Sequence, residues 1–128
     1  MEKLLTILTP TYNRGKYLGD IFKVLQQQTN QNFEWMIVDD GSTDNTKEIV
    51  ESFIESNKLR IRYFYKENGG KHTAVNYGLK YISTKLTVIL DSDDTFTNDA
   101  VEVIEKTYNE NKNEKNLWLY FFKTEKKW

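Results

Sequence analysis

Short apolar runs alternate with helical patterns along this chain, and together they predict an α/β fold. Runs of five to seven residues rich in apolar side chains predict strands at 4–9, 33–38, 59–65 and 86–90, and 117–122 has the composition of a fifth. Parallel strands need helical crossovers and are buried on both faces. The alternation therefore predicts a mostly parallel sheet with helices on both faces.

Apolar residues spaced three and four apart predict four helices between these strands. The second is expected to begin at Asn45, with Glu48 as its capping partner, the third after Gly69 and Gly70, and the fourth near Asp99. The predicted buried faces are Leu18, Ile21, Phe22 and Leu25; Ile49, Val50, Phe53 and Ile54; Ala74, Val75, Gly78, Leu79 and Ile82; and Ala100, Val103, Ile104, Thr107 and Tyr108.

Composition narrows the class of protein. A chain of 128 residues fits one domain, and its lack of cysteine excludes a disulfide framework or a thiolate-bound metal. A net charge of −1 gives no general electrostatic attraction for nucleic acid. No apolar run reaches membrane-spanning length and no leader peptide is evident, so the cytoplasm is the expected location. The segment 112–128 is rich in lysine and could make a peripheral contact with the inner face of the membrane.

Polar side chains collect where predicted strands end, which is where open parallel sheets bind ligands. Pro10 and Tyr12 follow the first strand, Asp39 and Asp40 the second, and Asp-Ser-Asp-Asp at 91–94 the fourth. Crowded carboxylates repel one another unless a cation neutralises them. The pattern therefore indicates a hard divalent ion, Mg²⁺ or Mn²⁺, bridging to a phosphorylated ligand. The alternative is that these aspartates are only loop and helix-capping residues.

Four motifs in order carry a resemblance to a known family. They are Ile-Leu-Thr-Pro-Thr-Tyr-Asn-Arg at 7–14, Val-Asp-Asp-Gly-Ser-Thr-Asp at 38–44, Asn-Gly-Gly-Lys at 68–71 and Leu-Asp-Ser-Asp-Asp at 90–94. Over residues 3–110 the chain resembles family 2 of the inverting glycosyltransferases, which have the GT-A fold. The resemblance implies metal-assisted transfer of a sugar from a nucleotide-diphosphate donor, a UDP-sugar, to a glycan or lipid-linked acceptor, as in polysaccharide biosynthesis.

The resemblance also implies roles for individual residues. Pro10 and Tyr12 would contact the nucleotide base, and either Asp39 or Asp40 would recognise the uracil edge. The Asp-X-Asp segment would contact ribose and hold the metal on the diphosphate. The substrate-binding residues implied are Pro10, Tyr12, Asp39, Asp40, Gly70, Lys71, Asp91 and Asp93, and the metal ligands implied are Asp93 and Asp94.

Each of these residues has a structural alternative. Tyr12 could cover the core, Pro10 could fix a turn, and the glycine pair could only permit a tight bend. The two aspartates after the second strand could cap the next helix, although Asp44 and Asn45 fit that role better. Lys71 is a candidate cation for the phosphates, and Arg14 could act similarly.

The general base that inverting transfer requires is not identifiable here. In the family it lies in a second, acceptor-binding half, so residues 1–128 are expected to form a single nucleotide-sugar-binding domain that lacks this half. A module that binds nucleotide sugar without turnover is the alternative function. A receiver domain is disfavoured because its acidic pair would follow the first strand rather than the second. The oligomeric state stays open.

Overall fold

The computed structural model describes residues 2–111 and confirms the alternating α/β architecture. Four strands and four helices follow one another in strict alternation. In chain order they are β1 (Leu5–Thr11), α1 (Gly15–Gln26), β2 (Phe33–Asp39), α2 (Thr46–Glu55), β3 (Ile61–Tyr65), α3 (Lys71–Leu79), β4 (Leu86–Ile89) and α4 (Ala100–Asn111). The strand predicted at 117–122 and the lysine-rich segment lie outside the described residues.

The four strands form one parallel sheet in the order β3-β2-β1-β4. All residues of the central strands β1 and β2 are buried, which explains why both read as nearly continuous apolar runs. The chain adds β2 and β3 on one side of β1 and then crosses to add β4 on the other. This reversal of direction makes the space between β1 and β4 the topological switch point of the sheet.

Helices cover both faces of the sheet, as predicted. One face carries the larger core, where side chains from α1, α2 and α4 pack around Trp35, whose indole Nε1 donates to Thr9 Oγ1 at 2.8 Å. The other face is covered by α3. A Cβ added at Gly78 would lie 2.8 Å from Leu8 Cδ1 and 3.0 Å from Val38 Cγ2, so this glycine lets α3 approach the sheet closely.

Three residues predicted to face the core are exposed: Ile54 on α2, Leu79 on α3 and Val103 on α4. Each lies at the margin of its apolar stripe, beyond the reach of the sheet. The predicted capping box of α2 is also absent, because Asn45 makes no side-chain cap hydrogen bond. Asp44 takes that role instead.

Glu34 is a buried acid near the amino end of the central strand β2. Its carboxylate accepts from Arg60 Nε at 3.2 Å and from Arg62 Nη1 at 3.4 Å, both on the β3 side. Thr6 on β1 donates its hydroxyl to the same carboxylate at 3.4 Å. A buried charge that finds its partners in only one alignment favours that register of β3 against β2.

Among residues 2–111, no helix has the length and apolar character needed to cross a bilayer.

Candidate functional site

The space between β1 and β4 at the carboxyl edge, the edge of the sheet where all four strands end, is the crevice expected at the topological switch point. The Leu90 amide donates to the Leu8 carbonyl at 2.9 Å, which shows that even-numbered residues of β1 point their backbone groups toward β4. The next such residue is Pro10, which has no N–H to donate. The β1–β4 ladder therefore stops at this point, and the two chains separate into their loops.

The loops that follow β1 and β4 meet across this crevice. Arg14, directly before α1, places its Nη1 3.6 Å from Asp93 Oδ2, and the Asp93 side chain is largely buried. The turn that carries Asp93 is closed by a hydrogen bond from the Asp94 amide to the Asp91 carbonyl at 3.0 Å. The structure thus brings Arg14 and the acidic segment together at the switch point, where α/β sheets bind ligands.

A second basic residue reaches the acidic segment from α3. Lys71 is the first residue of that helix, and its Nζ lies 2.7 Å from Asp91 Oδ1. Two carboxylates of the acidic segment, Asp91 and Asp93, are therefore each matched by a cation of the chain itself. Asp40 follows the same rule, since its Oδ1 lies 2.8 Å from Lys66 Nζ.

Asp40 organises the loop between β3 and α3. Its carboxylate is buried and accepts from the amides of Gly69 at 2.9 Å and Gly70 at 2.8 Å, in addition to Lys66 and Asn68. Burial by itself would raise the pKa of Asp40, but the hydrogen bonds from Lys66 and the two glycine amides outweigh it, and the pKa lies below its ordinary value. Gly70 has φ +105°, a conformation that side-chain-bearing residues rarely adopt.

Asp39 is also enclosed by the chain. Its Oδ1 accepts from the Ser42 amide at 2.8 Å, and its Oδ2 accepts from the hydroxyl of Tyr63. Burial and the hydrogen bond to Asp39 together raise the pKa of the Tyr63 hydroxyl far above its ordinary value, so this phenol stays protonated and remains a donor. Both aspartates after β2 therefore fix the shape of the carboxyl edge.

Tyr12 and Pro10 differ in their surroundings. Tyr12 follows the last residue of β1 and is 37% exposed, so it does not serve as a lid on the core. Pro10 lies inside β1, buried and opposite Val38, so the alternative that it fixes a turn is wrong. Instead it ends the pairing with β4.

The donor atoms at the crevice suit a hard divalent cation. In the part of the chain that the structure describes, no three acidic or histidine side chains converge as a metal cage. Mg²⁺ and Mn²⁺ sites at phosphates use only one or two protein carboxylates, with phosphate oxygens completing the shell. The turn at 91–94 carries the carboxylates of Asp93 and Asp94, the implied metal ligands, together with Asp91, and the ammonium of Lys71 beside Asp91 lies where positive charge is favoured. Asp94, next to them, is buried.

Two residues of the carboxyl edge were missed by the sequence analysis. Lys66 follows β3, just as the predicted site residues follow β1, β2 and β4, so applying the same strand-end rule to the third strand would have found it. Tyr63 lies inside β3, and nothing in its spacing distinguishes it from a core aromatic. Its contact with Asp39 depends on the register between β2 and β3.

Acid is expected to destabilise the protein through Asp40 and Asp44. Hydrogen bonds from Thr46 and Gly15 outweigh the effect of burial and lower the pKa of Asp44, as neighbouring donors do for Asp40. A folded-state pKa below the unfolded value gives stability that is complete above the ordinary value of 3.8 and is lost as pH falls through the folded-state pKa. Urea midpoints measured from pH 7 to pH 3 should fall in the acid range, and less steeply in Asp44→Asn; equal slopes would contradict this assignment.

Comparison with known proteins places these features in a family. The model of glycosyl transferase family 2 matches residues 6–117. Glycosyltransferase GlyG of Streptococcus pneumoniae is 38% identical over 105 residues, which are 81% of this chain and 35% of that protein. An uncharacterized glycosyltransferase of Rickettsia felis is 41% identical over 106 residues, 83% of this chain and 17% of that protein. The chain thus spans about a third or less of the length of these relatives.

Solved structures show the same fold. TarS residues 1–349 of S. aureus, in complex with UDP-GlcNAc, matches 85% of this chain and 32% of that chain with a TM-score of 0.79 and 30% identity. The mannosyltransferase PcManGT of Pyrobaculum calidifontis, in complex with GDP-Man and Mn²⁺, matches 79% of this chain and 31% of that chain with a TM-score of 0.72 and 25% identity. The GT-A fold expected from the motifs is confirmed. The chain belongs to glycosyl transferase family 2.

Proposed function

We propose that this chain is the donor-binding part of an inverting, metal-assisted glycosyltransferase that takes a UDP-sugar and transfers its sugar to a glycan or lipid-linked acceptor. The observation that carries the proposal is the meeting of Arg14 and Asp93, 3.6 Å apart, across the gap between β1 and β4. It brings a cation from the β1 side and a carboxylate from the β4 side together at the switch point of the sheet. A diphosphate with a divalent ion needs both kinds of group.

The nucleotide base is assigned to the β1 side of the crevice. Tyr12 offers a partly exposed aromatic ring, which can stack on a base, and Pro10 lies beyond the last residue of β1 that pairs with β4. Asp39 and Asp40 hold the adjoining loop through buried hydrogen bonds, so the edge of a uracil ring would meet a rigid surface there. The two structural relatives described above bind UDP-GlcNAc and GDP-Man respectively, which supports a nucleoside-diphosphate sugar as the ligand.

The diphosphate is assigned to the β4 side. Lys71 and Arg14 are the cations that would contact phosphate oxygens, and Gly70, next to Lys71, adds a backbone close to the ligand. Asp91 would lie near the ribose, and Asp93 with Asp94 would hold Mg²⁺ or Mn²⁺. When bound, such an ion neutralises charge on the departing diphosphate. The Mn²⁺ in the mannosyltransferase structure supports this choice of metal.

A thermal-shift panel of UDP, GDP and ADP, each with Mn²⁺, tests the donor class. A ligand at 100 times its Kd stabilises the folded state by about 2.7 kcal/mol, which raises the melting temperature of a domain this size by several degrees. UDP should give the largest rise. A larger rise with GDP would change the donor class, and no rise with any of the three would refute the proposal.

Binding without turnover is the second candidate function. It is favoured by the pairing of Asp40, Asp91 and Asp93 with basic residues, because a carboxylate held by a cation is a poor proton acceptor. Incubating the chain with UDP-sugar, Mn²⁺ and a glycan acceptor, then measuring UDP release, separates the two. Tight UDP binding with no release above the protein-free rate would support the binding module.

A further inference from the structure

We propose that Arg14 and Lys71 are diphosphate-binding cations that Asp93 and Asp91 hold in place until the donor arrives. On this basis the metal-free site is closed to phosphate by its own ion pairs. Nucleotide binding requires each cation to exchange a carboxylate for a phosphate oxygen. The proposal rests on the donor-binding function above. It adds that the two cations become available to phosphate, and the two carboxylates to a metal ion, only when their ion pairs separate.

The geometry shows that both cations are committed to the acidic segment. Lys71 Nζ lies 2.7 Å from Asp91 Oδ1, a distance typical of a charge-assisted hydrogen bond. Arg14 Nη1 lies 3.6 Å from Asp93 Oδ2. The two acids sit on the same short turn, while the two bases come from different elements. One segment therefore controls cations from both sides of the crevice.

The side chains that make these pairs differ in how freely they can move. The Asp91 and Asp93 carboxylates are mostly buried, whereas Lys71 and Arg14 remain 37% and 26% exposed. The long basic side chains can swing toward solvent or a ligand without disturbing the core, and the short acids cannot. The exchange is therefore expected to move the cations and leave the carboxylates fixed.

This exchange couples the two kinds of ligand. A phosphate that draws Lys71 and Arg14 away removes these two positive charges from beside Asp91 and Asp93, which raises the affinity of the carboxylates for a divalent ion. By thermodynamic reciprocity, a divalent ion bound to these carboxylates makes the cations more available to phosphate by the same factor. Removing a carboxylate charge by substitution is expected to release its cation in the same way. Replacing Asp91 should then strengthen nucleotide binding when no metal is present, although Asp91 is assigned to the donor site.

A double-mutant cycle on Asp91 and Lys71 tests the inference by calorimetry of UDP binding in a metal chelator. Asp91→Asn should bind UDP about 5-fold or more tightly than the unmodified chain. Removing a negative charge could by itself reduce repulsion of the phosphates. That explanation predicts the same gain in a Lys71→Met background, whereas the proposed exchange predicts that the gain disappears there.

Two matched controls show whether the gain depends on Lys71 in particular and on the phosphates of the nucleotide. Lys80→Met, at the other end of α3, should leave the Asp91→Asn gain intact. Uridine, which lacks the phosphates, should show no gain. Circular dichroism melting verifies that each variant is folded, and Lys71→Gln replaces Lys71→Met if the latter does not fold.

The outcomes distinguish this inference from the function on which it rests. Non-additive effects of the two substitutions on UDP affinity support the exchange. Additive effects, with UDP still bound in Mn²⁺, overturn the exchange and leave the donor-binding function standing. Absence of UDP, GDP and ADP binding with or without Mn²⁺ removes the function itself, and the exchange with it.

Discussion

Replacement of Asp40 by alanine is expected to lower the free energy of unfolding by about 3–5 kcal/mol, since it removes one partner of a buried ion pair. The carboxylate accepts from Lys66 Nζ at 2.8 Å and from the amides of Gly69 and Gly70. Without it the ammonium, which is 15% exposed, loses its counter-charge and two amides lose their acceptor. Urea denaturation followed by circular dichroism measures the change.

The same substitution should also weaken nucleotide binding. Lys71 directly follows the two glycines that Asp40 anchors, so loosening this loop displaces the ammonium from the place where it would meet a phosphate. Asp20→Ala, at an exposed position of α1, is the matched control and should change stability by no more than about 0.5 kcal/mol. A free energy of unfolding for Asp40→Ala that differs from that of the parent by less than about 1 kcal/mol, the scale of one hydrogen bond, would show that other contacts hold the loop.

Replacement of Asp93 by alanine is expected to remove the contribution of Mn²⁺ to nucleotide binding. Loss of a residue that only hydrogen-bonds to a metal ligand typically lowers the affinity for the metal about 10–100-fold, and loss of a ligand itself should lower it at least as much. UDP titrations with Mn²⁺ and with a chelator give the metal-dependent increment as their ratio. That ratio should approach one in the variant.

Stability separates this effect from a general loss of structure. The pair between Asp93 and Arg14 is long at 3.6 Å and Arg14 is partly exposed, so its loss should cost no more than about 1 kcal/mol. Asp99→Ala, outside the crevice at the start of α4, supplies a control with the same change of charge. A metal-dependent increment that survives in Asp93→Ala would reassign the metal to the neighbouring acids.

The main features of the sheet follow from local sequence because they depend on short-range patterns. β1 and β2 are nearly continuous apolar runs, which is typical of strands buried on both faces, and acidic residues lie at the end of β2 and after β4. Parallel strands end at a common edge, so the position of Asp93 on the same edge as Asp39 was predictable without knowing the strand order. The order β3-β2-β1-β4 was not predicted, since it depends on which strands pair across the chain.

The partners of the acidic residues were harder to predict because they are long-range. Asp40 and Lys66 are 26 residues apart, and Asp91 and Lys71 come from different elements. Sequence reasoning assigned the excess negative charge to a metal, and the structure shows that the chain also supplies bases of its own. The predicted burial of Ile54 and Val103 was wrong for a related reason. The width of the buried stripe on a helix depends on the surface against which the helix packs.

The Glu34 carboxylate, with Arg60 and Arg62, has a consequence for residues far from it. Arg62 and Lys66 are four positions apart, which is about 13 Å along an extended chain. If β3 slipped by one position toward its amino end, Glu67 would take the place of Lys66 beside Asp40, and like charges would face each other. The alignment of β3 that is fixed near the amino ends of the strands therefore determines the sign of the charge presented at their carboxyl ends.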